Sequence, residues 1–401
     1  MSNSKVLGST LIIAGTTIGA GMLALPIASA GLGFMTSLAI MVVMWALMAY
    51  TALLMLELHQ HADHDATLHT LAKQFLGDKG KWIATFAMLF LFYALCAAYI
   101  AGGGGQFNDK LHNWFELDVS NGVGTLIFTM LIAAIVTFGT SSVDKVNRVL
   151  FTCKLIAMAV MLFFLTPNIQ AVHLVNMPLE KGLIIAALPV IFTSFGFHGS
   201  IPAVVRYLDL DMKALKKVMV LGSLLPLVIY ILWQLATLGV VDQASLSQAG
   251  DVSALVGTLS QVIHSSAISQ VVSIFADLAL ITSFLGVSLG LFEFLGDSLN
   301  KSQSKGGRVG IALVTFVPPL CFALFYPQGF IMALGYAAIA LAILAILLPV
   351  AMVKRSREIH LNTQGFTVVG GDAALILVLV SGVMIIGVQV LISIGMLPAI
   401  G

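Results

Sequence analysis

Apolar runs long enough to cross a membrane recur along the whole chain and limit what it can fold into. A membrane-spanning helix needs about 20 predominantly apolar residues. Eleven such runs are predicted, at roughly 7–30, 33–57, 82–106, 122–140, 148–166, 182–205, 216–240, 270–297, 309–326, 329–353 and 373–396. Because 59% of the 401 residues are hydrophobic and 9% are charged, no separate soluble domain is expected. We predict an all-α polytopic membrane protein with 11 transmembrane helices in a single domain, 1–401.

The distribution of basic residues predicts the orientation. Cytoplasmic loops are enriched in Lys and Arg. With the N-terminus in the cytoplasm, every Lys and Arg except Lys110 and Lys181 lies on or near the cytoplasmic side, and the outer connection 241–269 has none. The C-terminus is then predicted to be periplasmic. Residues 28–30 (ASA) resemble a signal-peptide cleavage site, but the next apolar run follows at once, so we expect no signal peptide.

The first apolar run is interrupted in its middle. Residues 15–26 read GTTIGAGMLALP, with glycines at three positions, two threonines and a proline. A helix broken at membrane depth frees backbone N–H and C=O groups, and this is tolerated only inside protein or beside a wet cavity. The start of a half-helix suits an anion, and freed carbonyl groups suit a cation. Because an amino acid carries both charges, this stretch predicts an amino acid site.

The sixth run carries a second interruption. Residues 189–202 read PVIFTSFGFHGSIP, in which two glycines, hydroxyl groups, a histidine and flanking prolines again predict a broken helix. Interruptions in spans one and six are typical of a five-plus-five inverted repeat with the site where the two spans cross. Because similarity between the halves is weak, the repeat is inferred from this placement. Repeat one covers about 7–166, repeat two about 182–353, and an extra C-terminal helix about 373–396.

The two interruptions resemble the hydroxy/aromatic amino acid permease family. The motifs are GTTIGAGMLALP in span one and FTSFGFHGSIP in span six, and the resemblance continues at 45–48, 275–280, 283–287 and 325–327. It implies eleven spans, the LeuT-like fold of the amino acid/polyamine/organocation superfamily, and proton-coupled uptake across the bacterial inner membrane. Tryptophan permeases of the same family share the span-six motif, which therefore marks the family better than the substrate.

The resemblance also implies how the charged end of a substrate binds. Three amides of span one are expected to meet the carboxylate, those of Gly19, Ala20 and Gly21. Carbonyl groups of both interruptions are expected to meet the ammonium, near Thr16 and Thr17 and from Ile191 to Ser194. The alternative is that the glycines only allow close helix packing.

The aromatic end needs an apolar pocket with a few polar groups. The candidates are Phe192, Phe195, Gly196 and Phe197 in span six, Tyr93 and Tyr99 in span three, and Trp233 and Gln234 in span seven. Each aromatic ring is alternatively an ordinary core residue. A tyrosine pocket also needs a partner for the phenolic hydroxyl, which Gln234, Ser194 or His198 could supply.

Ionisable groups within the spans are candidates for proton coupling. The resemblance implies that Lys154 takes the place where sodium-coupled relatives hold sodium; alternatively it reaches the cytoplasmic surface. His198 is a second candidate, or a neutral cap of the broken helix. In span eight, Glu293 lies deep enough to pair with Lys154, and Asp277 is a separate relay candidate. Three acids near span ends are expected to be solvated, Glu57, Asp209 and Asp297.

One loop is rich in possible metal ligands. Connection 58–81 contains His59, His61, His64, His69, Asp63 and Asp65, but their spacing fits no defined metal site. We expect a solvated loop, no metal and no cofactor.

We therefore predict a proton-coupled symporter that imports tyrosine into a bacterial cell by alternating access. Its partners are the aromatic amino acid, the proton and the lipid bilayer, with no nucleic acid, and the oligomeric state is left open. The alternatives are a tryptophan-specific or broad aromatic permease, and an uncoupled facilitator. We find no enzyme motif, such as a nucleophile elbow or a phosphate loop.

Overall fold

The computed structural model describes residues 3–116, 120–176, 182–262, 266–299, 305–360 and 365–400, and every regular element in these ranges is helical. The first α-helices are α1 (Asn3–Thr17), α2 (Gly21–Ser29), α3 (Phe34–His59), α4 (Leu68–Phe115), α5 (Asn121–Phe138), α6 (Thr140–Leu165), α7 (Ala171–Val175), α8 (Leu183–Ala186), α9 (Leu188–Ser194) and α10 (Ile201–Tyr207). The remaining α-helices are α11 (Met212–Val240), α12 (Gln243–Ser247), α13 (Val252–Val262), α14 (Ser266–Leu299), α15 (Lys305–Phe325), α16 (Phe330–Ala342), α17 (Leu348–Ile359) and α18 (Gly371–Ser393). Short 3-10 helices cover Thr166–Asn168 and His198–Ser200, and a π-helical turn, Ile343–Leu347, joins α16 to α17.

The described part of the chain has nine helical segments long and apolar enough to cross a membrane, or ten if the bent pair α1 and α2 is one span. A helix satisfies its own backbone hydrogen bonds, so it can cross hydrocarbon that offers none. The protein is therefore an all-helical polytopic membrane protein.

The short helices beside the two interruptions lie at the centre of the bundle. All nine residues of α2 are buried, and α9 is buried from Pro189 to Ser194. The long helices enclose them: α4 packs against α14 and α16, α14 against α6, and α11 against α1 and α3. At the periphery, α18 exposes large apolar side chains, as expected of a helix facing lipid: Ile376, Leu377, Val380 and Val383.

Two predicted connections are more ordered than expected. The loop predicted at 58–81 is helical from Leu68, where Thr67 forms a capping box with Thr70. Gly77 then interrupts the helix with a φ of +70°, a conformation that favours glycine. The connection predicted at 241–269 contains α12 and α13. These helical segments were not predicted because they lack the long apolar run by which a membrane span is recognised.

The prediction that Glu57 is solvated is wrong. Its side chain is 4% exposed and accepts hydrogen bonds from the guanidinium of Arg357, Nε to Oε1 at 2.6 Å and Nη2 to Oε2 at 2.9 Å. The backbone N–H of Val368 donates to the same carboxylate at 2.8 Å. The side-chain amide of Gln60 donates to the Phe366 carbonyl oxygen and accepts a hydrogen bond from the Phe366 N–H. Residues 365–370, which we call the strap, are thereby fixed to the end of α3.

Candidate functional site

The first interruption separates α1 from α2 and bends the chain by 52°. Between these helices the regular backbone hydrogen bonds are replaced by local and tertiary bonds. The Gly19 amide donates to the Thr17 carbonyl oxygen at 2.8 Å, and the Ala20 amide donates to Ser283 Oγ on α14 at 2.8 Å. Two of the three amides expected to meet a carboxylate therefore already have acceptors, and the third, Gly21, begins α2.

The second interruption lies between α9 and α10. After Ser194 the chain turns through Phe195 and Gly196, whose amides donate to the carbonyl oxygens of Phe192 and Thr193, both at 3.1 Å. The 3-10 helix His198–Ser200 then leads into α10.

The two interruptions touch each other directly. Ser194 Oγ donates to the Gly21 carbonyl oxygen at 3.0 Å, and the hydroxyls of Thr16 and Ser200 are 2.8 Å apart. A Cβ atom on Gly21 would lie 3.2 Å from Ser194 Cα, so this close contact favours glycine. The span-one and span-six motifs therefore lie against each other.

A cavity of about 630 Å³ lies between the interruptions and α4, α6, α14 and α16. Its walls include ten of the residues predicted from the sequence: Thr16, Thr17, Gly19, Gly21, Tyr99, Lys154, Ser194, Gly196, Phe197 and His198. Apolar side chains supply much of the remainder, among them Leu91, Phe92, Leu95, Phe151, Val287, Leu334 and Leu341. Backbone groups at the helix ends beside an apolar wall suit a ligand with one charged and one apolar end.

Other predicted residues lie outside this wall. Phe192 and Phe195 are fully buried in the core. The Tyr93 hydroxyl donates to the Val314 carbonyl oxygen on α15 at 2.7 Å. Gln234 Nε2 donates to the Leu25 carbonyl oxygen at 3.2 Å and to Ser29 Oγ at 2.6 Å, so this side chain holds α2 instead of facing the cavity.

Lys154 points into the first interruption. Its side chain is buried, and Nζ donates to the Ile18 carbonyl oxygen at 2.9 Å and to Thr282 Oγ1 at 3.2 Å. Nζ also lies 4.5 Å from the centroid of the Phe151 ring. Lys154 therefore does not reach the surface, and it donates a hydrogen bond to a carbonyl group that the break leaves outside any helix.

The two acids of span eight contact residues other than this lysine. Asp277 forms an ion pair with Lys110 of α4, beside a smaller cavity of about 160 Å³. Glu293 is exposed and accepts a hydrogen bond from Thr140 Oγ1 at 2.6 Å. The structure therefore does not pair Lys154 with Glu293.

His198 is buried behind the second interruption. Its Nε2 lies 2.9 Å from Thr51 Oγ1 on α3. The Thr51 hydroxyl also lies 3.2 Å from the Met48 carbonyl oxygen, so its single hydrogen is shared between two neighbouring acceptors or given to one of them. Within the described chain Nδ1 has no hydrogen-bond partner.

Several residues of the site were missed by the sequence reasoning. Tyr230 on α11 bridges the two interruptions: its hydroxyl lies 2.6 Å from the Thr17 carbonyl oxygen and 2.9 Å from that of Ser194. Asn147 and Phe151 of α6 line the cavity with Lys154. Their spacing of four and then three residues puts all three on one helix face, which a helical projection of span five identifies.

Comparison with known proteins identifies relatives over nearly the full length of the chain. Residues 2–389 match the model of the tryptophan/tyrosine permease family. The chain is 46% identical to tyrosine-specific transport system 1 of Haemophilus influenzae, over 98% of this chain and 99% of that protein. It is 42% identical to tyrosine-specific transport system 2 of the same organism, over the full length of both. It is 36% identical to that organism's tryptophan-specific transport protein, over 96% of each.

These relatives are transport proteins, and the family membership predicted from the two interrupted spans is confirmed. The chain belongs to the tryptophan/tyrosine permease family.

Proposed function

We propose that the protein is a proton-coupled symporter that imports tyrosine across the bacterial inner membrane by alternating access. The observation that carries the proposal is the cavity between the two interrupted spans, in a chain whose relatives include tyrosine-specific transport proteins. The proposed architecture is eleven spans in a LeuT-like five-plus-five repeat. It counts the bent pair α1 and α2 and the short apolar helix Gly122–Phe138 as spans.

The charged end of the substrate is proposed to bind at the helix ends. The Gly21 amide begins α2, and a helix N-terminus favours an anion such as the carboxylate. Ser283 Oγ accepts from the Ala20 amide and has no acceptor for its own hydrogen in the described chain, so it can donate to the carboxylate. The carbonyl groups of Thr17 and Ser194 end α1 and α9 and suit the ammonium.

The aromatic ring is proposed to occupy the apolar wall formed by α4, α14 and Phe197. Tyr99 belongs to this wall and its hydroxyl has no hydrogen-bond partner within the described chain, so we propose it as a partner for a phenolic substrate. A tryptophan-specific or broad aromatic permease uses the same wall, and competition between substrates distinguishes them.

The proton is proposed to be carried by Lys154. When Lys154 is protonated, its charge and hydrogen bond hold the Ile18 carbonyl group; when it is neutral, this attraction weakens. A proton that biases the same conformational equilibrium as the substrate couples the two fluxes.

The test is tyrosine uptake into proteoliposomes without sodium, with an imposed inward proton gradient and a clamped membrane potential. A gradient of about one pH unit supports about tenfold accumulation if one proton accompanies each tyrosine. Lys154→Gln keeps a hydrogen-bond donor but no charge, so it should exchange tyrosine without accumulating it. Lys145→Gln, an exposed lysine of the same helix, is the matched control and should accumulate tyrosine normally.

Each outcome separates the alternatives. Accumulation that resists competing tryptophan and phenylalanine supports a tyrosine symporter. Equilibration without accumulation in the wild type indicates an uncoupled facilitator. Accumulation by Lys154→Gln equal to wild type would refute the role of Lys154 while leaving the transporter intact.

A further inference from the structure

One side chain of α11 connects the ends of both interrupted helices. The Tyr230 hydroxyl lies 2.6 Å from the carbonyl oxygen of Thr17, the last residue of α1. It lies 2.9 Å from the carbonyl oxygen of Ser194, the last residue of α9. The side chain is fully buried, and its ring packs edge-on against Phe195 with 5.2 Å between the centroids. The hydroxyl is therefore held in place by its surroundings.

A phenolic hydroxyl has one hydrogen, so it cannot make a full hydrogen bond to both carbonyl groups at once. The Thr17 carbonyl oxygen has a second donor, the Gly19 amide. No backbone amide of the described residues donates to the Ser194 carbonyl oxygen outside regular helix. Gly19 N–H and Tyr230 O–H therefore supply two hydrogens to two carbonyl oxygens that have two lone pairs each, so this pair of helix-end oxygens can accept from a further donor, and both residues line the cavity.

We propose that Tyr230 is a positioning residue for the substrate ammonium, an inference that rests on the proposed function of the cavity as an amino acid site. Tyr230 itself does not line the cavity, so it approaches the two oxygens from behind the wall. It holds the end of α1 and the end of α9 at the separation that an ammonium group can bridge. The ammonium then donates, from the cavity side, to the remaining lone pairs of these two oxygens.

Neighbouring polar side chains of α11 do not share this role. Trp233 Nε1 donates to the Met22 carbonyl oxygen at 2.8 Å, and Gln234 donates to that of Leu25, so both hold α2 and not the two helix ends. Thr237 Oγ1 donates to the Trp233 carbonyl oxygen at 2.8 Å, within its own helix. Thr237→Val therefore removes a buried hydroxyl of the same helix without touching either interruption, which makes it the matched control for Tyr230→Phe.

The experiment separates the amine from the rest of the substrate. Labelled tyrosine is bound to purified protein and displaced by unlabelled tyrosine or by 3-(4-hydroxyphenyl)propionate, which is tyrosine without its amine. The ratio of the two inhibition constants measures the contribution of the amine. In Tyr230→Phe we expect this ratio to fall about tenfold, because a displaced carbonyl oxygen loses its hydrogen bond from the charged ammonium, with the affinity of the amine-free analogue unchanged. Thr237→Val should keep the wild-type ratio.

A rescue variant tests the donor instead of the ring. 4-Aminophenylalanine at position 230 places an N–H donor where the phenolic O–H was, and it should restore the wild-type ratio. If Tyr230→Phe is not recovered folded, the 4-aminophenylalanine variant is tested against the wild type alone. Loss of the amine contribution in the 4-aminophenylalanine variant would overturn the proposal.

The remaining outcomes are distinct. If Tyr230→Phe weakens both ligands equally, the residue is only structural and the proposal is overturned. If the wild-type protein binds tryptophan but not tyrosine, only the proposed substrate is wrong. The same ratio is then measured with tryptophan and indole-3-propionate. A wild type that binds neither amino acid overturns the proposed function and this inference together.

Discussion

The buried ion pair between Glu57 and Arg357 makes a prediction whose size follows from the contacts. Arg357 supplies two of the three hydrogen bonds that the Glu57 carboxylate receives within the described chain, and Val368 N–H supplies the third. Arg357→Met therefore leaves a carboxylate that is 4% exposed with one backbone donor. Removing one member of a buried pair costs about 3–5 kcal/mol, because the remaining charge stays out of water.

Companion variants separate the lost charge from the lost packing. Glu57→Gln should cost less, about 1–3 kcal/mol, because Arg357 keeps 25% of its side chain exposed and can be hydrated. The double variant Glu57→Gln with Arg357→Met should be more stable than Arg357→Met alone, since no unpaired charge remains. Arg355→Met is the matched control on the same helix, because Arg355 and Glu358 form an exposed pair worth about 1 kcal/mol or less.

The free energy of unfolding can be measured in mixed micelles by titrating a denaturing detergent and following tryptophan fluorescence. Limited proteolysis reports on the strap, which Arg357→Met should expose because Val368 also receives a hydrogen bond from Arg357 at 3.3 Å. If Arg357→Met unfolds with a free energy close to that of Arg355→Met, or if the double variant is the least stable, the burial argument is refuted.

Two further perturbations have defined outcomes. Gly21→Ala places a Cβ 3.2 Å from Ser194 Cα and should weaken tyrosine binding about tenfold, whereas Gly8→Ala meets no atom within 4 Å and should bind normally. The His61 ring stacks on His360 with centroids 4.2 Å apart, and burial and then the His360 charge lower the pKa of His61. The stability that neutral His61 contributes is therefore present above its unfolded pKa of about 6.5. It is lost as the pH falls through the lower pKa of His61 in the folded protein. The midpoint of unfolding, measured from about pH 8 to about pH 5, should depend less on pH in His61→Phe than in the wild type.

Local signals in the sequence were sufficient to locate both interruptions. Glycine, hydroxyl residues and proline inside an apolar run act on the backbone where they stand, so the breaks at 18–20 and 195–197 follow from the neighbouring residues. These breaks needed no knowledge of which helices pack together. The depth of Lys154 was left open by the sequence, because a lysine at that depth can also reach the cytoplasmic surface, and its contacts with Ile18 and Thr282 decide it.

Contacts between distant segments were not predictable in this way. The pairs Glu57 with Arg357 and Lys110 with Asp277 join residues from distant parts of the chain. The sequence around one residue of each pair does not identify its partner. Tyr230 is an intermediate case. It shares a helix face with Trp233, Gln234 and Thr237 at spacings of three, four and seven residues, so its orientation was readable, but its acceptors belong to α1 and α9.

The hydrogen bonds at the site also indicate which groups can move together. Three side chains of α11 hold the interrupted elements: Tyr230 binds the ends of α1 and α9, and Trp233 and Gln234 bind α2. In the proposed alternating access, we expect these elements to move as one body.

Across its boundary with α6 and α14, the first interruption makes two polar contacts, Lys154 Nζ with the Ile18 carbonyl oxygen and the Ala20 amide with Ser283 Oγ. Any movement of this body relative to α6 and α14 must break or exchange them. In the proposed mechanism the proton acts on Lys154 and the carboxylate acts on Ser283, so each ligand changes one of these two boundary contacts. Two ligands that act on the same boundary bias the same equilibrium, and this is the condition for coupling their transport.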